Sequence, residues 1–178
     1  MITYHDTEWG VPIHDDQKLF EFMVLDAMQA GLSWRIVLQK RENFERALDG
    51  FDISKVAKYG DKEYDLLVNN EGIIRNRQKL AATITNARSV LAVQEDFGSL
   101  DAYLWQFVDG RPTVNAWKEG SQIPAKSPVA EVMSKDLKKR GFKFVGPTIC
   151  YAFMQAAGLV NDHVTNCFRY EELANSSK

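Results

Sequence analysis

Apolar residues recur at helical spacing along almost the whole of this 178-residue chain, and period-two alternation is scarce. That pattern directs the chain to an all-α fold. From Asp15 or Asp16, either a possible N-cap, the stretch DDQKLFEFMVLDAMQAGL is apolar around most of its circumference and stops at Gly31, as expected of a buried helix. SWRIVLQKRENFERALDG follows as an amphipathic helix with Gly50 as a C-cap candidate. FDISKVAKYGDKEYDLLVNNEG reads as two shorter helices with Ser54 a possible cap, RNRQKLAATITNARSVLAVQEDFG as a long helix, and LDAYLWQFVDG as a short aromatic one. Residues 111–128, RPTVNAWKEGSQIPAKSP, hold three of the five prolines and read as an extended loop between two lobes. Beyond it VAEVMSKDLKKRG and PTICYAFMQAAGLVNDH are further helices joined through FKFVG, with Pro147 in the first turn of the second and Gly158 at its end. ELANSSK reads as a frayed tail.

A chain of this length has room for one sizeable core or two small lobes sharing a cleft. Its 45% hydrophobic and 26% charged residues exclude the disordered and low-complexity classes. Two cysteines, Cys150 and Cys167, cannot build a disulfide framework, and the N-terminus lacks the order of a secretion signal, so a reducing, cytoplasmic compartment is expected. No apolar run reaches the roughly 18 residues of a membrane span.

The net charge of −2 offers no global attraction to nucleic acid, so any such partner needs a local patch. Lys135, Lys138, Lys139, Arg140 and Lys143 against Asp136 give a local +4 and leave −6 for the remainder. Immediately after, Gly141 to Gly146 forms a glycine-bounded hairpin, at about 140–147, that leads into a helix starting at Pro147-Thr148. Such a turn presents backbone N–H groups and a positive dipole end to a phosphate without reading sequence. A solvated basic face beside an ordinary turn fits the same residues.

Asp26 stands in FMVLDAMQA, where a carboxylate must be partnered, partly exposed or raised in pKa; it lines a cleft or borders solvent. Tyr4, Trp9 and Trp34 are flat groups near element ends, suited to stacking on bases and equally to filling a core. His5, with His163 and Cys167 at i, i+4, offers three metal ligands, one short of a tetrahedral set; a coincidence on a helix surface has the same spacing. Cys150 in ICYAFM reads as a small buried hydrophobe. There is no G-x-S-x-G, phosphate loop, H-E-x-x-H or C-x-x-C, so nucleotide hydrolysis and the familiar protease and esterase chemistries lack support.

YHDTEWGVP, QAGLSWRIVLQKRENF, GIIRNRQKL, LKKRGFKFVGPTICYAFMQAAGLVNDH and the His163/Cys167 pair together closely resemble the bacterial DNA-3-methyladenine glycosylase I family, within the helix-hairpin-helix glycosylases. The resemblance runs from Tyr4 to about Cys167. It implies a single glycosylase domain over 1–178 with two helical lobes, a lesion pocket between them, and Gly141 to Gly146 as the hairpin gripping double-stranded alkylated DNA. It further implies a monofunctional N-glycosylase, a monomer working with the nucleoid, that releases 3-methyladenine. By position, Tyr4 and Asp26 would hydrogen-bond the flipped base, Trp34 would stack on it and Trp9 would wall the pocket. Leu32 would be the wedge filling the vacated space, and Lys139, Arg140, Gly141, Lys143, Gly146 and Thr148 would hold DNA. His5, His163 and Cys167 would bind the family's structural zinc.

Three departures from the family pattern shape these expectations. Asp26 stands where the family usually has glutamate. The family carries about a dozen residues before the YHD block, a further zinc cysteine among them, whereas here Met1 lies three positions before Tyr4. Asp162 lies where related glycosylases have a catalytic aspartate, which makes it the second candidate for the catalytic role after Asp26 and Tyr4. A catalytically weakened DNA-damage binder is the competing class, and a small-molecule metal hydrolase around His5-Asp6 and His163 a remote third.

Overall fold

The computed structural model describes residues 1–176. The regular structure of the described residues is almost entirely helical, as the periodicity predicts. α1 (Ile2–Thr7) leads through a loop to α2 (Asp16–Gln29), which the Asp15 side chain caps by accepting from the Lys18 N–H at 2.8 Å. Leu19, Phe20 and Phe22 through Met28 of α2 are all buried, so this helix is enclosed on nearly every side. The neighbouring Asp16 has another task. Its carboxylate accepts from the N–H groups of Leu100 and Asp101 at 2.8 Å and from Gln94 Nε2 at 2.7 Å, fixing the start of a later helix against α2.

The stretch expected as one helix after Gly31 is two, α3 (Trp34–Gln39) and α4 (Arg41–Ala47), broken at Lys40. The Lys40 ammonium turns aside to donate to the carbonyls of Glu71 and Gly72. Gly50 is no C-cap: it lies in a turn, Asp49–Phe51, where three successive residues have positive φ. α5 (Ile53–Val56) is capped by Asp52, which accepts from Lys55 N–H, and not by Ser54; α6 (Asp61–Asn69) follows. Asn76 caps the long α7 (Arg77–Phe97), and Ser99 caps α8 (Leu100–Trp105).

Residues 111–128 are not simply an extended loop. Thr113–Val114 (β1) pairs in parallel with Val160–Asn161 (β2), and the 3-10 turn Gly120–Gln122 follows β1. α9 (Pro128–Lys139), capped by Ser127, and α10 (Pro147–Ala156) pack against each other across the turn Gly141–Gly146. Within that turn Phe142 and Val145 are buried. α11 (Phe168–Ser176) takes in most of ELANSSK, so that stretch is helix as far as Ser176; residues 177–178 lie outside the described ones. Buried apolar side chains from Tyr4 to Val160 form one continuous cluster around α2.

One contact ties the two ends of the chain together. Gly158 has φ +76°, and a Cβ built there would stand 2.4 Å from Pro12 N and Val11 C, both backbone atoms that cannot swing away. Gly158→Ala is therefore expected to destabilise the protein by roughly 2–5 kcal/mol, combining left-handed backbone strain with overpacking. Urea denaturation monitored by tryptophan fluorescence measures it.

Candidate functional site

α1, α2, α3 and α10 converge on a cavity of about 170 Å³ lined by Tyr4, Trp9, Asp26, Gln29, Trp34, Ala152, Gln155 and Ala156. That is the space of roughly six waters. Asp26, Gln29 and Ala152 also line an adjoining groove of about 240 Å³ that runs past Gly31 and Leu32 to Thr148 and Ile149. All four aromatic and acidic residues expected at a pocket therefore meet in one place, and Leu32, 40% exposed, stands at the mouth of the groove beside them.

The cavity contains two unsatisfied polar atoms. Asp26 is only 4% exposed, yet its Oδ2 has no hydrogen-bond partner, and the buried Trp34 Nε1 likewise has none. Natural interiors rarely leave such groups unpaired, so each calls for a partner such as water, an ion or a bound ligand. Burial pushes the Asp26 carboxyl well above the ordinary carboxylate range. Burial likewise pushes the Tyr4 hydroxyl up, with the Asp26 and Glu8 charges adding to it. Tyr4 and Trp34 are tilted at 53° with centroids 5.4 Å apart, and Tyr4 also lies against Phe22, so the pocket's aromatic wall is braced from behind. Arg41 strengthens the brace, donating to Glu21 at 2.6 Å and Glu8 at 2.8 Å over the face of Phe22.

Asp162 is placed differently. It is 1% exposed and accepts four hydrogen bonds: from Asn115 Nδ2 and Trp117 Nε1 on Oδ1, and from Tyr151 OH and Gln155 Nε2 on Oδ2, all at 2.6–2.7 Å. It does not line the cavity; it holds Gln155, which does. Sequence reasoning missed Gln29 and Gln155, because an amide on an otherwise apolar helix gives no signal of its own.

His163 and Cys167 lie on a turn rather than a helix, where Cys167 N–H donates to the Val164 carbonyl. The turn still brings them together. Cys167 Sγ is 3.5 Å from His163 Nδ1 and 3.8 Å from His5 Nε2, and the three ligand atoms all lie within 4.8 Å of one another. Donors on a tetrahedral zinc stand about 3.5 Å apart, given Zn–S and Zn–N bonds of about 2.3 and 2.0 Å. The remaining ring nitrogens are also engaged: His5 Nδ1 faces Asp6 at 2.8 Å, and His163 Nε2 faces the Trp9 carbonyl at 3.0 Å. A carboxylate or carbonyl behind each imidazole is the usual support of a metal-ligating histidine. Burial lowers the His163 pKa, which keeps the ring in its neutral, ligating form. The donor set therefore fits zinc, with one coordination position left to another group.

The basic segment is exposed at Lys135, Lys138, Lys139 and Lys143. Arg140 is not one of the free cations. It pairs with Asp136 at 2.9 Å and Asp96 at 3.0 Å and lies over the rings of Phe97 and Tyr103. The turn itself is clamped by Asn86, whose amide accepts from Lys143 N–H at 2.8 Å and donates to its carbonyl at 3.0 Å, and by Ser134, which donates to the Val145 carbonyl. Gly141 takes φ +91°, and Phe144 also has positive φ. Thr148 is exposed at the start of α10, where no side chain caps the helix.

A profile of the methyladenine glycosylase family matches residues 1–170. The chain is 49% identical over 169 residues to the DNA-3-methyladenine glycosylase 1 of Escherichia coli (strain K12), covering 95% of this chain and 90% of that one. It is 46% identical over 166 residues to the DNA-3-methyladenine glycosylase of Haemophilus influenzae, covering 93% and 90%. A structure of 3-methyladenine DNA glycosylase I from Staphylococcus aureus, described as the basis of 3-methyladenine recognition, superposes with a TM-score of 0.93 at 36% identity, over 95% of this chain and 90% of the other.

The two aspartates respond oppositely to amidation. Asp26 has a raised folded-state pKa, so its destabilisation is absent below the unfolded value of 3.8 and grows as the pH rises through the folded pKa. Asp26→Asn is expected to be more stable than the wild type at pH 7, by roughly 1–3 kcal/mol, with a flatter pH dependence. Asp162→Asn turns an amide against donors and is expected to lose roughly 2–4 kcal/mol. Urea melts at pH 5, 6, 7 and 8 separate the two.

Proposed function

The chain belongs to the methyladenine glycosylase family, and from that premise we propose that it acts in base-excision repair as a monofunctional N-glycosylase, taking 3-methyladenine flipped out of double-stranded DNA into the Tyr4–Trp34 cavity. The observation carrying this reading is the pair of unsatisfied polar atoms, Asp26 Oδ2 and Trp34 Nε1, in an aromatic cavity sized for one base.

Methylation at N3 makes adenine a cation, so the glycosidic bond is already weak. The bond breaks with its electron pair going to the base, which leaves neutral. Water adds to the oxocarbenium-like sugar carbon and loses its proton to solvent. No strong nucleophile is required, and Asp162, with its four donors, serves the architecture. The protein's contribution is differential binding. A cationic base supplies the counter-charge that Asp26 lacks, whereas neutral adenine leaves the buried carboxylate uncompensated or protonated. Tyr4 and Trp34 offer stacking faces, Trp34 Nε1 a hydrogen-bond donor, and Trp9 the outer wall.

Extruding the nucleotide costs a few kcal/mol, least for a damaged base. Leu32, apolar and exposed at the groove mouth, fills the gap left in the duplex. α9, the Gly141–Gly146 turn and α10 act as the helix-hairpin-helix grip. Lys139, Lys143 and the free N–H groups around Gly146 and Thr148 take backbone phosphate, while Arg140 sets the shape of the grip from behind. The chain works as a monomer in the cytoplasm. His5, His163 and Cys167 would hold zinc as a structural cross-link between α1 and the segment after β2, which would steady Tyr4 and Trp9.

Methylated duplex DNA incubated with the protein should yield free 3-methyladenine, seen by chromatography of the released bases. Asp26→Asn should lower the single-turnover rate by roughly 10²–10³-fold while DNA affinity stays near wild type. Loss of excision in Asp162→Asn at a temperature where it is folded, with Asp26→Asn active, would reverse the two roles. Elemental analysis of the purified protein should find one zinc per chain, and Cys167→Ser should lose it together with several degrees of melting temperature.

A further inference from the structure

Lys79 is 5% exposed, and no step of the chemistry above employs it. It belongs to GIIRNRQKL and sits in the first turn of α7, where Asn76 caps its backbone N–H. A cation there opposes the positive end of its own helix dipole. Its ammonium instead crosses to the other end of a different helix, donating to the carbonyls of Met28 at 2.9 Å and Ala30 at 2.5 Å. These belong to the last residues of α2 and its C-cap, where carbonyls otherwise lack partners and the dipole is negative. Among the described residues Lys79 has these two carbonyls as side-chain partners and no carboxylate.

The segment it holds joins Asp26 to Trp34. Gly31 takes φ +79° with open space around it, Leu32 N–H donates to the Gln29 carbonyl, and Leu32 is exposed. No other side chain donates to a carbonyl in the Ala30–Ser33 turn among the described residues. Resting on the glycosylase reading, we infer that Lys79 is the positioning residue of the wedge: its ammonium, bridging the Met28 and Ala30 carbonyls, stiffens the turn so that Leu32 can be driven into a duplex while the base pocket stays in place. A wedge mounted on a compliant turn would yield to the base stack and would not open it.

The experiment compares Lys79→Met, which keeps the stem and removes the donor, with the wild type and with Leu32→Ala. Three quantities are read: single-turnover release of 3-methyladenine from methylated duplex, binding of free 3-methyladenine by tryptophan fluorescence, and unstacking of a 2-aminopurine placed next to the lesion. Lys79→Met should slow duplex excision roughly tenfold or more and quench the 2-aminopurine signal, while free-base affinity stays within threefold. In the Leu32→Ala background it should add less than twofold, because the wedge it serves is gone. Lys79→Arg, which keeps the charge on a similar stem, should recover most of the duplex activity, and Lys79→Gln, which removes the charge and shortens the reach, carries the same comparison if the methionine variant fails to fold. Unchanged duplex excision, equal loss of free-base binding, or full multiplication with Leu32→Ala would each overturn the inference. Absence of 3-methyladenine release by the wild-type chain would instead remove the glycosylase reading, and the inference with it.

Discussion

A helix apolar around most of its circumference must be surrounded, and that requirement on α2 organises the molecule. α3, α7, α8 and α10 all pack on it, and the continuous apolar cluster is what they enclose. Both ends of α2 are secured by side chains, Asp15 at the start and Lys79 at the finish, while Asp16 draws the start of α8 onto it. Enclosure also explains the chemistry. Asp26 is carried inward with the apolar face, and its desolvation there raises its pKa well above the ordinary carboxylate value.

Much of this was legible in the chain because helical spacing, caps and glycines are local signals. α2, α7, α9 and α10 follow from them directly. The deviations all involve partners distant in sequence. The break between α3 and α4 accompanies the reach of Lys40 to the Glu71 and Gly72 carbonyls, and the β1–β2 pairing joins segments 47 residues apart, as Thr113 and Val160 show. Spacing put His163 and Cys167 on a helix, yet a turn closed by the Cys167 N–H brings them together equally well. Asp162 looked like a reactive carboxylate by position; its four donors come from Asn115, Trp117, Tyr151 and Gln155, which no local pattern connects.

Charge shows the same limit. A count assigns five cations to the segment 135–143, but Arg140 is occupied by Asp136, Asp96 and two aromatic rings. The exposed cations of that segment are therefore lysines, which are compact, strongly hydrated charges. Such charges attract an anion without the two-pronged geometry by which arginine fixes it.

The cavity's walls come from opposite ends of the chain. Tyr4 and Trp9 face Ala152, Gln155 and Ala156, the Trp9 carbonyl meets His163 across a sequence separation of 154, and Gly158 admits the backbone of Val11 and Pro12. During synthesis the wall of Tyr4 and Trp9 waits for α10. A ribosome-bound chain lacking residues beyond Ala152 has α2 and its carboxylate but not the wall formed by Gln155 and Ala156, so the cavity closes only after α10 has been made.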